Sequence, residues 1–401
     1  MDFKKNYDVI VVGAGISGIA AAVEAARSGK RTALIEKTVL TGGLATAGLV
    51  NVYLPLCDGE GKQVTFGIAE ELLHLSTKYG PGDVPSDWRD ASEGKAISRY
   101  QVTFSPAAYV LALDELLIDS GIEVWLDTLV CQPVMLGNRV SGVEVENKSG
   151  RGLLSGFCCI DASGDAIVAH RAGAEYVEGE NFLTIWALEA KLEAAKRAAK
   201  EEKGDPLLAR AILGGDNTGS ERPAGSRIYA GLSGKDASEF AMESRKLLRE
   251  RHRELHAKDP ERGRHNLWAV TLPSVPQFRM TRRIVGQTTM KSDEHGLLRE
   301  DAVGLVADWR KPGFVWEVPY GSLLPRKISG LLAVGRCIAS DGDAWEIMRV
   351  IPAAALTGQV AGIAATLAVE QNISPEEVDV GNIQERLRIK DIPYHLSDLG
   401  L

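Results

Sequence analysis

The sequence predicts an α/β fold built on a parallel sheet, with a second region inserted into it. Three observations carry that reading. A strand–turn–helix–strand unit opens the chain. A buried strand and a long helix of small residues come near its end. A charged, helix-rich stretch separates them.

The first unit begins with "YDVIVV", a short apolar run that reads as a strand buried on both faces. "ISGIAAAVEAARSGK" follows with apolar residues at helical spacing, and Gly29 supplies a C-terminal stop. "RTALIE" reads as the second strand. Between first strand and helix lies "GAGISG", whose glycines have separate tasks. Gly13 permits the tight turn, Gly15 lets backbone approach a pyrophosphate, and Gly18 lets helix pack close to strand. The helix N-terminus, with Ser17 in it, offers free amides and a positive dipole end to phosphates. Glu36 ends the second strand, where a carboxylate accepts ribose hydroxyls and disfavours a 2′-phosphate. Together these features predict a Rossmann-type dinucleotide site, without yet choosing between NAD and FAD.

The loop after Glu36 bears on that choice. In "KTVLTGGLATAGLVN", Gly42 and Gly43 permit close backbone approach to a bound cofactor. Here the chain resembles the glutathione-reductase-type FAD flavoproteins, and within them the FAD-dependent oxidoreductase family. Glu36, Lys37, Gly42, Gly43, Thr46 and Gly48 match that family's pattern. "FSPAAYVLALDELLIDSGIEVWLDTLV" is similar to the segment whose strand end meets the adenine, here near Val130. "DASGDA" resembles the family's Asp-Ala-Thr-Gly-Asp turn through Asp161, Ala162, Gly164 and Asp165, with Ser163 in place of Thr. "RMTRRI" resembles its Arg-Glu-Thr-Arg-Arg-Ile motif, with Met280 in place of Glu. The stretch from Pro319 to Gly362 resembles the C-terminal FAD-binding segment, including Tyr320, Gly335, Arg336, Arg349, Pro352, Gly358 and Gln359. The resemblance implies FAD as cofactor and an oxidoreductase activity.

"GLLAVG" reads as a buried strand, and "PAAALTGQVAGIAATLAVE" as a helix with Pro352 in its first turn. That helix start, at Ile351, is expected to face the flavin and stabilise negative charge that builds up on reduction. No second G-x-G-x-x-G occurs. The flavin is therefore expected to exchange electrons with a substrate, a quinone-like acceptor, oxygen or a partner protein.

The FAD-binding domain is expected over residues 1–180 and 321–375, a substrate or cap region over 181–320, and a tail over 376–401. "LEAKLEAAKRAAKEEKG" and "SEFAMESRKLLRERHRELHAKDP" read as charged helices with solvated faces, His252 and His256 included. Pro81 to Lys95 reads as a loop-rich insert.

Flavin carries the redox chemistry itself, so the protein must hold substrate and handle a proton. Arg279, Arg283 and Arg349 are the candidate catalytic residues, with Arg282 beside them, because a guanidinium binds a carboxylate in a planar fork. "CIASDGDAWEIMR" departs from the family, placing Asp341, Asp343, Trp345 and Glu346 where substrate would be read. The expected reaction is hydride transfer between a small, anionic organic substrate and flavin N5. An FAD-dependent monooxygenase and a flavin-bound sensor or assembly subunit are the alternatives.

A net charge of −8 gives no bulk attraction for nucleic acid or an anionic membrane. No apolar stretch of about 18 residues is read, so no membrane span is expected. No signal peptide is read either. The five cysteines lack a C-x-x-C pair, which suggests reduced thiols in a cytoplasmic protein without zinc. Cys158 and Cys159 are expected on opposite faces of one strand. The histidines show no metal-ligand spacing. A homo-oligomer or an electron-transfer partner is left open.

Overall fold

The computed structural model describes residues 1–84, 101–216 and 219–401. Residues 85–95 of the expected loop-rich insert lie outside that set.

The opening unit forms as read: β1 (Phe3–Val12), α1 (Ile16–Arg27) and β2 (Thr32–Ile35). They join a mixed sheet whose order is Glu123–Trp125, β2, β1, Gly150–Asp161, Arg139–Asn147, Leu129–Leu136. Strand Leu331–Ala333 pairs in parallel with the end of Gly150–Asp161. The pairing with Arg139–Asn147 is antiparallel and uses only the first half of the long strand, so its second half is free to take Leu331–Ala333.

Register decides where the site falls. Val12 pairs with Ile35 on one side and Asp161 on the other, and Asp161 pairs with Ala333. Four of the parallel strands, β2, β1, Gly150–Asp161 and Leu331–Ala333, therefore end side by side, with Glu123–Trp125 in register beyond β2. The chain leaves them at Gly13, Glu36, Ala162 and Val334, so the motifs that follow each strand meet along one edge.

Helix Ile351–Gln371 packs on α1. By length and apolarity it could cross a membrane, although no such stretch was expected from sequence. Burial explains its composition: nearly every side chain from Pro352 to Ala368 lies within the core. Buried Glu24 on α1 accepts a hydrogen bond from Gln359 at 2.9 Å and pairs with Lys390 at 3.1 Å. Cys158 and Cys159 do lie on opposite faces, one in each of the two main apolar clusters.

The chain crosses to a second layer through an antiparallel ribbon, Tyr176–Glu178 against Arg282–Ile284. Between the crossings stands a three-stranded antiparallel sheet, in the order Arg210–Gly214, Thr184–Lys191, Leu267–Thr271. Helix Gly234–Ala257 covers one face, with Ser233 as N-cap accepting from the Asp236 amide at 3.0 Å. Its Phe240, Ser244 and Leu248 are buried at a spacing of four, an inward stripe the sequence reading took for a solvated surface. His252 is corrected with it: its Nε2 lies 2.7 Å from the fully buried carboxylate of Glu189, which also pairs with Arg251. His256 Nε2 lies 2.8 Å from the Leu267 carbonyl.

Residues 302–319, read as part of the cap, form a hairpin, Ala302–Ala307 with Val315–Pro319. It packs against helix Ile351–Gln371 and helix Val380–Ile389, contributing Val303, Val306, Trp316 and Val318 to the main core. The C-terminal segment is likewise built in, with Ile383 and Leu387 buried and the Leu396 amide donating to Glu317 at 2.8 Å.

Candidate active site

A cleft of about 300 Å³ runs along the edge where the strands end. Gly13, Gly15, Ser17, Glu36, Lys37, Gly42, Gly43, Ala162, Gly164, Asp165, Gly335, Arg336 and Ile351 all line it. Thirteen of the seventeen residues expected to hold cofactor thus meet in one place, although they come from four separate stretches of chain.

The glycines divide as their spacing suggests. Gly13 has φ +102°, and a Cβ there would stand 2.5 Å from the Ala162 carbonyl oxygen. A Cβ on Gly18 would stand 1.8 Å from the Gly13 carbonyl oxygen. Gly15 alone of the three meets nothing within 4 Å, so its missing side chain leaves open cleft. Gly42 and Gly43 fold back over this loop: the Gly42 amide donates to the Ala14 carbonyl at 2.7 Å. Glu36 holds the turn from below, accepting from the Ala14 and Thr38 amides, each at 2.9 Å.

The Asp161–Asp165 turn is closed by its own side chains. Asp161 accepts from the Ser163 hydroxyl at 2.6 Å and the Ala169 amide at 2.9 Å. Ser163 therefore preserves the hydroxyl a Thr would bring. Asp165 pairs with Arg336 at 2.9 Å and accepts from Thr281 at 2.8 Å. Burial opposes ionisation of Asp165, but the charges of Arg336 and Lys37 bring its pKa below the usual carboxylate value. Gly164 has no side chain because the Arg336 guanidinium lies where one would be.

Four expected cofactor residues do not line the cleft. Gly18 packs helix to loop. Thr46 caps its own loop through the Thr41 carbonyl, and a Cβ on Gly48 would strike Leu44. Val130 is buried among the meander residues, although Thr128, two residues earlier, donates to the Glu36 carbonyl at 3.0 Å.

A second cavity of about 360 Å³ adjoins the first. Leu44, Ala45, Arg336, Arg349 and Ile351 line both. The far wall is the cap: Trp186 and Ile212 from its sheet, and Arg279 and Met280 from the irregular segment that leads into strand Arg282–Ile284. Val50, Val52 and Trp309 complete a largely apolar lining.

Arg279 stands in this cavity over the Trp186 ring, 5.4 Å from its centroid. Among the described residues no carboxylate pairs with it. Burial lowers its pKa from the usual arginine value, and the positive charge of Arg349 adds to that, with Glu346 opposing. An anion is what this group lacks. Buried Asn181 fixes its backbone, accepting from the amides of Arg279 at 2.6 Å and Met280 at 3.0 Å. Gln277 ties the cap to the cofactor loop, accepting from the Trp186 amide at 2.9 Å and donating to the Gly48 carbonyl.

Arg349 also lines the cavity and pairs with Glu346, Nε to Oε2 at 2.8 Å. Arg283 does not. It lies on a strand that turns it away from the cavity, 5.4 Å over the Trp345 ring, while Arg282 lies over Tyr176. Trp345 in turn donates to the Arg336 carbonyl at 2.9 Å. Asp343 pairs with Arg310 at 2.9 Å and with Lys311, and of the four unusual residues Asp341, Asp343, Trp345 and Glu346 it is Glu346, on helix Gly342–Met348, that lines the cavity. Asn181, Gln277 and Trp186 were not singled out from sequence, since no local motif marks them.

The parallel strands of the mixed sheet thus end at one cleft, and the cap walls a second cavity beside it. Residues 8–183 and 188–387 match the family described as FAD dependent oxidoreductase. The chain belongs to that family, and FAD is its cofactor. It is 31% identical over 149 residues to digeranylgeranylglycerophospholipid reductase of Picrophilus torridus, covering 36% of each chain. It is 36% identical over 70 residues to thioredoxin reductase of Ureaplasma parvum, covering 18% of this chain and 23% of that one. The chain spans between about a quarter and just over a third of the curated relatives it matches. Among solved structures, p-nitrophenol 4-monooxygenase PnpA from Pseudomonas putida DLL-E4 superposes over 95% of this chain and 83% of its own, with TM-score 0.51 and 13% identity. That likeness is one of fold.

The residues present fit FAD. The open space over Gly15 is a cradle that any side chain would fill. Arg336 Nε is buried without a partner at the junction of the two cavities.

Proposed function

We propose that this oxidoreductase transfers a hydride between a small anionic organic molecule and flavin N5. The observation that carries the reading is the guanidinium of Arg279, which pairs with no carboxylate among the described residues and stands in a largely apolar cavity continuous with the cofactor cleft.

FAD, when bound, supplies the two-electron redox centre. The chain supplies the rest. Gly13, Gly15, Ser17, Glu36, Gly42 and Gly43 would hold the nucleotide half, with Lys37, Asp165 and Arg336 beside them. Leu44, Ala45, Arg349 and Ile351 line both cavities, so they would hold the flavin end of the cofactor next to the substrate. Arg279 would orient a substrate carboxylate in a planar fork. The apolar wall formed by Trp186, Ile212, Val50 and Val52 would take the remainder and exclude water.

The test is an absorption spectrum of the purified protein, followed by anaerobic mixing with a panel of carboxylates and with their esters or amides. Bleaching of the flavin band by a free carboxylate, but not by its uncharged derivative, is expected. Reduction by the uncharged derivatives alone would overturn the reading.

A further inference from the structure

The wall beside Arg279 carries a second group with an open face. Arg349 directs both of its side-chain hydrogen bonds to one oxygen of Glu346: Nε and the terminal nitrogen each reach Oε2. Oε1 accepts no hydrogen bond from any described residue, and it is not among the buried atoms left without a partner. It therefore keeps accessible surface, on a side chain that lines the cavity. The pairing with Arg349 and a side chain only 12% exposed fix the carboxylate in place. Glu180, Asp216 and Glu221, the other carboxylates of the lining, are exposed side chains of the cap. Among the described residues, the cavity thus joins one fixed acceptor to one cation that lacks an anion.

We propose that the substrate is a carboxylic acid with a proton-bearing heteroatom on the adjacent carbon, a 2-hydroxy or 2-amino acid with an apolar side chain. This rests on the anionic-substrate reading above. The carboxylate meets Arg279, the heteroatom's hydrogen meets Glu346 Oε1, and the side chain lies against Trp186 and Ile212. Short separation between the two polar groups suits a cavity whose remaining lining is largely apolar. Oxidation of that carbon removes a hydride, whose two electrons reduce the FAD, and one proton from the heteroatom. Glu346 Oε1 is the acceptor for that proton, and the product is a 2-oxo or 2-imino acid.

The experiment titrates FAD-loaded protein with three probes of one skeleton and reads the flavin absorbance perturbation anaerobically: 4-methylpentanoate, 2-hydroxy-4-methylpentanoate and leucine. Wild type should bind one of the two substituted acids about tenfold more tightly than the plain acid, as a charged hydrogen bond allows, and which one separates hydroxy from amino acid. Glu346→Gln should erase that preference, because only the substituted acids use Oε1, while the charge freed on Arg349 leaves the plain acid bound at least as tightly as in wild type. Arg279→Met should weaken all three by about tenfold or more. If plain and substituted acids bind equally to wild type, or Glu346→Gln weakens all three alike, the inference fails and the anionic-substrate reading stands. If no carboxylate perturbs the flavin of wild type, both fail.

Discussion

Gly358 lies so close to Ser17 that a Cβ on it would stand 2.1 Å from the Ser17 carbonyl oxygen. Ser17 belongs to the first turn of α1, and Gly358 to the helix that begins beside the cofactor cleft. The contact therefore sets how near two helix N-termini approach one cofactor. Gly362 repeats it one turn on, where a Cβ would stand 2.7 Å from the Ala21 carbonyl oxygen.

Gly358→Ala should separate those helices. The obstacle is backbone, which cannot rotate away as a side chain can. A loss of about 3 kcal/mol, at the upper end of overpacking costs, is expected. Thermal unfolding should show the lower Tm, and the purified variant should carry less FAD than wild type. An unchanged Tm would contradict the packing described.

Gly15 and Gly18 should part company when substituted. Gly15→Val places its side chain in open cleft, so the apoprotein should keep its circular dichroism and Tm while losing FAD affinity. Gly18→Ala forces its Cβ against the Gly13 carbonyl, so stability should fall as well. Tm of the two apoproteins, beside FAD titration of each, checks the contrast.

Asn181→Leu removes the acceptor that holds the Arg279 and Met280 amides. Two part-buried donors are then left unpaired, at about 1 kcal/mol each. Arg279 loses its support along with them. KM for the substrate should rise by about tenfold, and Asn181→Asp, which keeps the accepting oxygen, should recover part of that loss.

Thiol labelling probes the cores. Burial pushes Cys158 up from its usual value and Cys159 up to about 12, and Cys337 rises for the same reason. Their sulfurs stay protonated and enclosed at pH 8, and Cys57 is buried too. Iodoacetamide on the folded holoprotein should therefore modify Cys131 alone, and all five cysteines only after denaturation. Rapid labelling of Cys158 or Cys159 without loss of FAD would count against the buried strand.

The cofactor side was legible because its constraints are local. A turn that needs positive φ, a helix that must touch a loop and an acid at a strand end each impose a residue type at a set spacing. Gly13, Gly18 and Glu36 follow from such constraints one by one. The substrate side was less so. Arg279 and Arg283 stand in one motif and look equivalent as text, yet the irregular segment before the strand places Arg279 in the cavity while the strand lays Arg283 on Trp345. Glu346 stood out only as unusual, and Asn181 not at all, since each acquires its meaning from a partner distant in sequence or space.

By itself the sequence determined the Rossmann unit, the dinucleotide loop and the order of the strands' following motifs, because short-range sterics and hydrogen bonding dictate them. The tertiary structure alone decided that those motifs meet at one edge, that residues 302–319 join the core rather than the cap, and that among the described residues Arg279 is left without a carboxylate while Arg349 has one. Register and packing bring together groups up to hundreds of residues apart, and which charges find partners depends on that assembly rather than on any neighbour along the chain.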